Sequence, residues 1–117
     1  MKVLLTGGKG MLGRTLVREL GGDFEVVPTD LQEADITDEN AIDAVFARHA
    51  PDVVIHCAAM TAVDRCETER DMVFRLNARG TANVAAACAR ASPFRLSGEP
   101  SSRHDVFPFA RRRRYWP

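Results

Sequence analysis

The sequence has few of the residues that build disulfide frameworks, metal sites or membrane segments. Its three cysteines, Cys57, Cys66 and Cys88, are odd in number and form no Cys-x-x-Cys pair, and its three histidines are not clustered. This pattern argues against a disulfide scaffold or a zinc site and fits a reducing compartment. No apolar run is long enough for a membrane span, and no basic segment followed by an apolar one begins the chain. We therefore expect a cytoplasmic protein with no metal, no membrane partner and cysteines that act as small buried apolar residues.

The net charge of zero conceals two segments of opposite character. Residues 1–90 carry 10 Lys+Arg and 14 Asp+Glu, whereas residues 91–117 carry six Arg and two acidic residues. The second segment also holds four of the six prolines and all four serines, and it shows no strand or helix periodicity. We expect a folded domain over 1–91 and an irregular Arg/Pro/Ser-rich tail over 92–117.

The tail has three interpretations. A run of four arginines, Arg111–Arg114, is typical of a basic tail for nucleic acid or an acidic surface, and the prolines and serines are typical of a linker to a lost domain. The third is out-of-frame translation of a G+C-rich gene, because shifted glycine and alanine codons yield arginine runs with scattered proline. We favour the third interpretation, and we expect no nucleic-acid partner.

Residues 1–91 alternate between strand and helix patterns. Short apolar runs predict strands, amphipathic runs predict helices, and Asp64 and Glu67 have the spacing of a capping box. The predicted elements are strands at 2–6, 24–28 and 52–57, an extended piece at 33–36, and helices at 10–20, 38–49 and 64–91, with Thr37 or Asp38 as the cap of the second helix. This order favours a doubly wound parallel sheet with right-handed crossovers. With no further strand, 52–57 is expected at an open edge.

A glycine-rich turn follows the first strand directly. Gly7, Gly10 and Gly13 have the spacing Gly-x-x-Gly-x-x-Gly between the run Val3–Leu5 and the first helix. Glycine permits positive φ at the turn, close approach of the backbone to a phosphate, and close helix–strand packing. The helix N-terminus then offers free N–H groups to an anion. The pattern is typical of the pyrophosphate turn of a Rossmann-like dinucleotide-binding domain, although an ordinary tight turn has the same local features.

Further polar and small residues fall at later strand ends, where open α/β sheets bind ligands. Asp30 is placed to accept hydrogen bonds from the adenosine ribose and to repel a 2′-phosphate, which favours NADH over NADPH; alternatively it is a turn residue. Asp35 and Ile36 are placed to meet the adenine, or else to cap the next helix. Ala58 and Ala59 suit close approach of a flat cofactor. We interpret His56 as a core strand residue, since no nucleophile or metal ligand accompanies it.

Four segments are the most distinctive of the chain. They are Thr-Gly-Gly-Lys-Gly-Met-Leu-Gly at 6–13, Ala-Asp-Ile-Thr-Asp at 34–38, Pro-Asp-Val-Val-Ile-His-Cys-Ala-Ala-Met-Thr-Ala-Val-Asp-Arg-Cys-Glu at 51–67, and Leu-Asn-Ala-Arg-Gly-Thr-Ala-Asn at 76–83. Together they resemble dTDP-4-dehydrorhamnose reductases, which are extended short-chain dehydrogenases. The resemblance covers residues 1 to about 91, roughly the first third of a family member.

The resemblance implies a role for several residues. Gly10, Met11 and Leu12 would touch the pyrophosphate, Asp30 the ribose, and Asp35 and Ile36 the adenine. Ala59, Met60 and Thr61 would lie toward the nicotinamide, and Asn77 would brace the cofactor strands. His56 departs from the family, which commonly has asparagine there.

The resemblance also implies an activity that the chain is not equipped to complete. The family reduces dTDP-4-dehydro-L-rhamnose with NADH or NADPH, using a Tyr-x-x-x-Lys motif in which the tyrosine protonates the carbonyl oxygen. The only tyrosine here is Tyr115, the only lysines are Lys2 and Lys9, and the motif is absent. We expect a truncated reductase, inactive alone, that takes the dTDP-sugar only if a missing C-terminal part completes it. The alternative is a non-catalytic dinucleotide-binding module similar to the regulatory subunit of methionine adenosyltransferase.

Overall fold

The strands of the first 60 residues form a parallel sheet whose carboxyl ends meet at one edge. A computed structural model of the chain describes residues 1–91 and 109–111. The parallel strands are β1 (Lys2–Thr6), β2 (Glu25–Thr29) and β3 (Val53–His56), with β1 between the other two. In their register Thr6 pairs with Thr29 on one side and with His56 on the other. The strands therefore end level with one another, as expected for a Rossmann-like α/β fold, and that prediction is confirmed.

Helices cover both faces of this sheet. Helix α1 (Met11–Leu20) packs against β1 and β2, and α2 (Glu39–His49) begins at its predicted cap, where the Asp38 carboxylate accepts hydrogen bonds from two N–H groups of the first turn. Because side chains alternate along a strand, Leu4 lies on one face of the sheet and its buried neighbours, Val3 and Leu5, lie on the other. Leu4 joins a core with residues of α2, β3 and the last helix: Ile42, Val45, Phe46, Val54, Val84 and Ala87.

The helical region after β3 is interrupted, whereas the sequence pattern predicted one helix over 64–91. It consists of α3 (Val63–Thr68), α4 (Arg70–Phe74), a π-helix (Arg75–Gly80) and α5 (Thr81–Ala91). Helix α3 ends before Glu69, whose φ of −117° and ψ of 48° are not helical. The predicted capping box is wrong, because α3 begins beyond Ala62 with no side-chain cap. The extended piece at 33–36 is also not a strand of the sheet.

One segment of the expected tail adds to the sheet. Strand β4 (Phe109–Arg111) pairs with β3 in the antiparallel sense, giving the order β2-β1-β3-β4. The expectation that β3 forms an open edge is therefore wrong, since backbone pairing with β4 satisfies that edge. Residues 92–108 and 112–117, and with them the interpretation of the tail, lie outside the described residues. Within the described ranges, no helix combines the length and apolar character that crossing a membrane requires.

Candidate functional site

The turn between β1 and α1 is a close-packed glycine structure. Gly7 has a φ of +72°, which favours glycine, and its carbonyl accepts a hydrogen bond of 3.0 Å from the Gly10 N–H. Gly13 is buried beneath the turn, where an added Cβ would lie 2.1 Å from the Gly7 carbonyl oxygen. Gly10, by contrast, has an ordinary extended backbone at the helix N-cap, and among the described atoms an added Cβ would meet only that oxygen, at 3.2 Å. Backbone conformation and packing thus explain Gly7 and Gly13, whereas Gly10 has a single close contact and borders the space above the turn.

That space is a cleft of about 270 Å³ at the carboxyl ends of the strands. Seven of the predicted site residues line it: Gly7, Gly10, Asp30, Asp35, Ile36, Ala58 and Ala59. The structure therefore brings together residues that are up to 52 positions apart in the sequence. One concave surface therefore contains the glycine-rich turn, the carboxylates at the strand ends and the small residues after β3. This arrangement is the one expected for a ligand site at the edge of an open α/β sheet.

The other five predicted residues lie outside the lining of the cleft. Gly13 is buried under the turn, while Met11 and Leu12 begin α1 with 87% and 59% of their surface exposed. Met60 is half-buried and Thr61 is exposed, both beyond the end of β3. Their proximity to a ligand is not established by the cleft itself and stays a prediction.

Asp30 connects the end of β2 to the glycine turn. Its Oδ2 accepts a hydrogen bond of 2.9 Å from the Lys9 N–H, and its Oδ1 accepts one of 2.9 Å from the Leu31 N–H. These bonds, first from Leu31 and then from Lys9, hold the pKa of the Asp30 carboxyl below its ordinary value. The carboxylate is therefore charged at neutral pH and fixed in orientation, with lone pairs remaining for a further donor.

The next wall of the cleft is held by residues from the distant helical region. The Asp35 carboxylate accepts hydrogen bonds from both the backbone and the hydroxyl of Thr37, so it caps a local turn. Ile36 is buried, and its carbonyl accepts a 2.9 Å hydrogen bond from the Asn83 side chain. Gly80 packs against the same residue so closely that an added Cβ would lie 2.6 Å from Ile36 Cδ1.

The segment after β3 is clamped by an amide side chain. Asn77 in the π-helix accepts a 2.8 Å hydrogen bond from the Met60 N–H at its Oδ1 and donates one of 3.0 Å from its Nδ2 to the Met60 carbonyl. Both backbone groups of Met60 are thereby paired across a separation of 17 residues. The geometry agrees with the bracing role that the resemblance implied for Asn77, and it fixes the Ala58–Thr61 segment at the edge of the cleft.

His56 is neither isolated nor simply a core residue. Its Nδ1 lies 2.6 Å from the Thr6 hydroxyl at the end of β1, and its Nε2 lies 3.0 Å from the Thr81 hydroxyl at the start of α5. The side chain is half-buried, and burial lowers the pKa of its imidazole. Each ring nitrogen is thus hydrogen-bonded to a hydroxyl on a different neighbouring element.

Sequence reasoning missed five residues that line the cleft: Thr6, Leu31, Ala34, Cys57 and Leu76. Four of them are immediate neighbours of predicted residues, so their position follows once the strand ends are known. Leu76 reaches the cleft from the π-helix, and the pattern of a single long helix gave no signal for it. The cysteine expectation holds only in part, because all three cysteines are free but half-buried.

The parallel sheet, the crossover helices and the glycine turn at the carboxyl edge define a Rossmann-like α/β protein. Comparison with known proteins narrows this class, because the RmlD substrate binding domain family matches residues 1–95. The chain belongs to this family. It resembles dTDP-4-dehydrorhamnose reductases in both sequence and structure, as the motifs of the first 91 residues predicted.

Individual relatives give the extent of the likeness. A dTDP-4-dehydrorhamnose reductase of Aggregatibacter actinomycetemcomitans is 36% identical over 91 residues, which cover 76% of this chain and 31% of that protein. A crystal structure of such a reductase from Clostridium acetobutylicum is 47% identical with a TM-score of 0.73, covering 78% of this chain and 33% of the other. A Bacillus anthracis reductase in complex with NADP is 38% identical with the same TM-score of 0.73, and the match covers 77% of this chain and 33% of that protein. The chain thus spans about a third of the length of the curated relatives it matches.

Proposed function

We propose that the chain binds NADH or NADPH in the cleft, with the pyrophosphate over the turn that contains Gly10. The observation that carries this proposal is the contrast among the glycines. Gly7 and Gly13 are required by backbone conformation and packing, whereas Gly10 lines the cleft and an added Cβ there would meet one atom of the described residues, the Gly7 carbonyl oxygen at 3.2 Å. A glycine that has neither a positive φ nor a deeply packed position, at the N-cap of a helix, suits the close approach of an anionic ligand.

The remaining contacts extend from this anchor along the cleft. Asp30 suits the adenosine ribose, because its carboxylate is fixed, ionised and able to accept further hydrogen bonds. Ile36 presents a buried apolar side chain for the adenine, with Asp35 beside it. Ala58 and Ala59 leave room for a flat group on the opposite side, toward Met60 and Thr61. Gly10, Met11, Leu12 and the N-terminus of α1 complete the pyrophosphate contacts.

We further propose that Asp30 gives a preference for NADH. A 2′-phosphate beside this carboxylate would place like charges close together in the same pocket wall, at a cost that the free ribose hydroxyl avoids. Lys9 is a neighbouring cation, but its ammonium already lies 3.3 Å from Gln32 Oε1 and 4.0 Å from Glu33 Oε1. The NADP bound to the Bacillus anthracis relative is a property of that protein and does not decide the preference here.

We propose that the reaction served by this site is that of the reductases the chain resembles, the reduction of dTDP-4-dehydro-L-rhamnose to dTDP-L-rhamnose. The bound nicotinamide supplies hydride in such a reaction. This chain's residues hold and orient the dinucleotide, but its sequence contains no Tyr-x-x-x-Lys to protonate the carbonyl oxygen. That feature favours, for the chain by itself, dinucleotide binding without turnover.

The proposal is tested by measuring the affinity of the full chain for NADH and NADPH through the fluorescence of the reduced nicotinamide. We expect both to bind, with NADH tighter, and we expect Asp30→Asn to shift the ratio of the two dissociation constants toward NADPH by about tenfold. Asp23→Asn is the matched control, because Asp23 is exposed in the turn after α1, away from the cleft. Failure of both nucleotides to bind at millimolar concentration would reject the proposed function.

A further inference from the structure

His56 lies at the centre of a hydrogen-bonded series that starts at the cleft. The Thr6 hydroxyl, which belongs to a buried residue of the cleft lining, is 2.6 Å from His56 Nδ1. His56 Nε2 is 3.0 Å from Thr81 Oγ1, and Thr81 Oγ1 is 2.6 Å from the Asn77 carbonyl oxygen. The series therefore joins β1, β3, α5 and the π-helix through side chains.

The number of protons available fixes the direction of every bond in the series. A carbonyl oxygen only accepts, so the single hydroxyl proton of Thr81 is donated to Asn77. Thr81 must then accept a hydrogen bond from His56, which places the proton of the neutral ring on Nε2. Nδ1 is left as an acceptor for the Thr6 hydroxyl. All the donors point one way, from the cleft toward the π-helix.

The end of the series is the residue that holds the far wall of the cleft. Asn77 receives the Thr81 bond at its carbonyl, and its side chain pairs both backbone groups of Met60. On the strand side, His56 is followed directly by Cys57 and Ala58, which line the cleft. The imidazole thus fixes the spacing between the ends of β1 and β3 and the π-helix that clamps the segment after β3.

We infer that His56, in its Nε2–H tautomer, is a positioning residue for dinucleotide binding. His56 contacts no group of the predicted ligand. It acts by fixing Thr6 directly and by fixing the Ala58–Thr61 segment through Thr81 and Asn77. The inference deepens the proposed function and rests on it.

The test compares NADH affinity among variants of the full chain. His56→Leu removes the hydrogen bonds of both ring nitrogens. Thr81→Val removes only a hydroxyl at an exposed position, so this variant remains informative if His56→Leu fails to fold. We expect each to weaken binding by about tenfold, and the double variant to be no weaker than either, because both interrupt one series. Thr68→Val is the matched control: its hydroxyl makes the same kind of intrahelical bond, to the Asp64 carbonyl, outside the series.

Two further readouts separate positioning from general stability. His56→Gln, whose amide N–H donates from nearly the same place as Nε2, should restore affinity to within about threefold of the unmodified chain. Nitrogen NMR of the imidazole should show the Nε2–H tautomer even without NADH. Unchanged affinity in Thr81→Val, or an Nδ1–H tautomer, would overturn this inference while leaving the proposed function standing. Absence of NADH binding by the unmodified chain would overturn both.

Discussion

The sharpest test of the cleft is the replacement of Gly10 by valine. Gly10 has a φ of −67°, so a branched residue is conformationally allowed there, and its nearest neighbour to an added Cβ is the Gly7 carbonyl oxygen at 3.2 Å. The fold should therefore accept the side chain after a shift of a few tenths of an ångström. The new methyl groups occupy the space through which a pyrophosphate must approach the N-terminus of α1.

The expected loss follows from the contacts that are displaced. A hydrogen bond from a backbone N–H to a charged group contributes about 1.5–3 kcal/mol, so losing one of them weakens binding by at least about tenfold and losing two by at least about 100-fold. The free energy of unfolding should fall by only about 1 kcal/mol, because the fold has to relieve a single contact of 3.2 Å to the Gly7 carbonyl oxygen. Binding and stability are therefore predicted to separate.

Two other glycines make the experiment decisive. Gly22→Val is the matched control, since no atom of the described residues lies within 4 Å of an added Cβ there, and it should alter neither property. Gly13→Ala should lower the free energy of unfolding by at least about 1–3 kcal/mol, because its Cβ would lie 2.1 Å from the Gly7 oxygen. NADH titration and urea denaturation of the three variants provide the data. A tenfold change in the dissociation constant corresponds to about 1.4 kcal/mol. If the dissociation constant of Gly10→Val for NADH is within about threefold of that of the unmodified chain, the pyrophosphate assignment is refuted.

Three further outcomes are expected. The chain alone should not oxidise NADH in the presence of dTDP-4-dehydro-L-rhamnose, because no Tyr-x-x-x-Lys is available; turnover above background would contradict this. Because burial lowers the pKa of His56, the unfolded chain binds the proton more readily, so the melting temperature should fall as the pH drops below about 6.5, and less so in His56→Gln. Burial raises the pKa of Cys88 to about 11, so at pH 8 only about a thousandth of this thiol is ionised, and mass spectrometry should find it alkylated more slowly than a free thiol.

The elements that the sequence predicted well are those with local causes. Strand β1, the glycine turn and α1 follow one another within 20 residues, and each has its own signal in apolar runs, glycine spacing or helix periodicity. The Asp38 cap of α2 is likewise a contact over two to three residues. Such features need no knowledge of the rest of the fold, and the structure has them within one residue of the predicted bounds.

The features that the sequence did not predict depend on contacts between distant segments. The bond from Asn83 to Ile36 spans 47 residues, and the two bonds of His56 span 50 and 25. Hydrophobic periodicity does not predict such long-range pairs. A histidine between apolar residues has the same sequence pattern whether or not its ring nitrogens form hydrogen bonds. The break at Glu69 and the pairing of β4 with β3 also arise from packing, which overrode the helical and irregular patterns of those segments.

The π-helix explains how one helical stretch serves both the core and the cleft. A π-turn accommodates an extra residue, and each added residue rotates the following side chains by about 100° about the helix axis. Beyond this turn, Thr81 reaches His56 at the end of β3 and Asn83 reaches Ile36 in the cleft wall, while Val84 is buried in the core. With a regular α-helix in its place, the polar and apolar positions of α5 would be turned away from both partners. The geometry of the proposed dinucleotide site and the packing of the core therefore depend on the same local departure from α-helical structure.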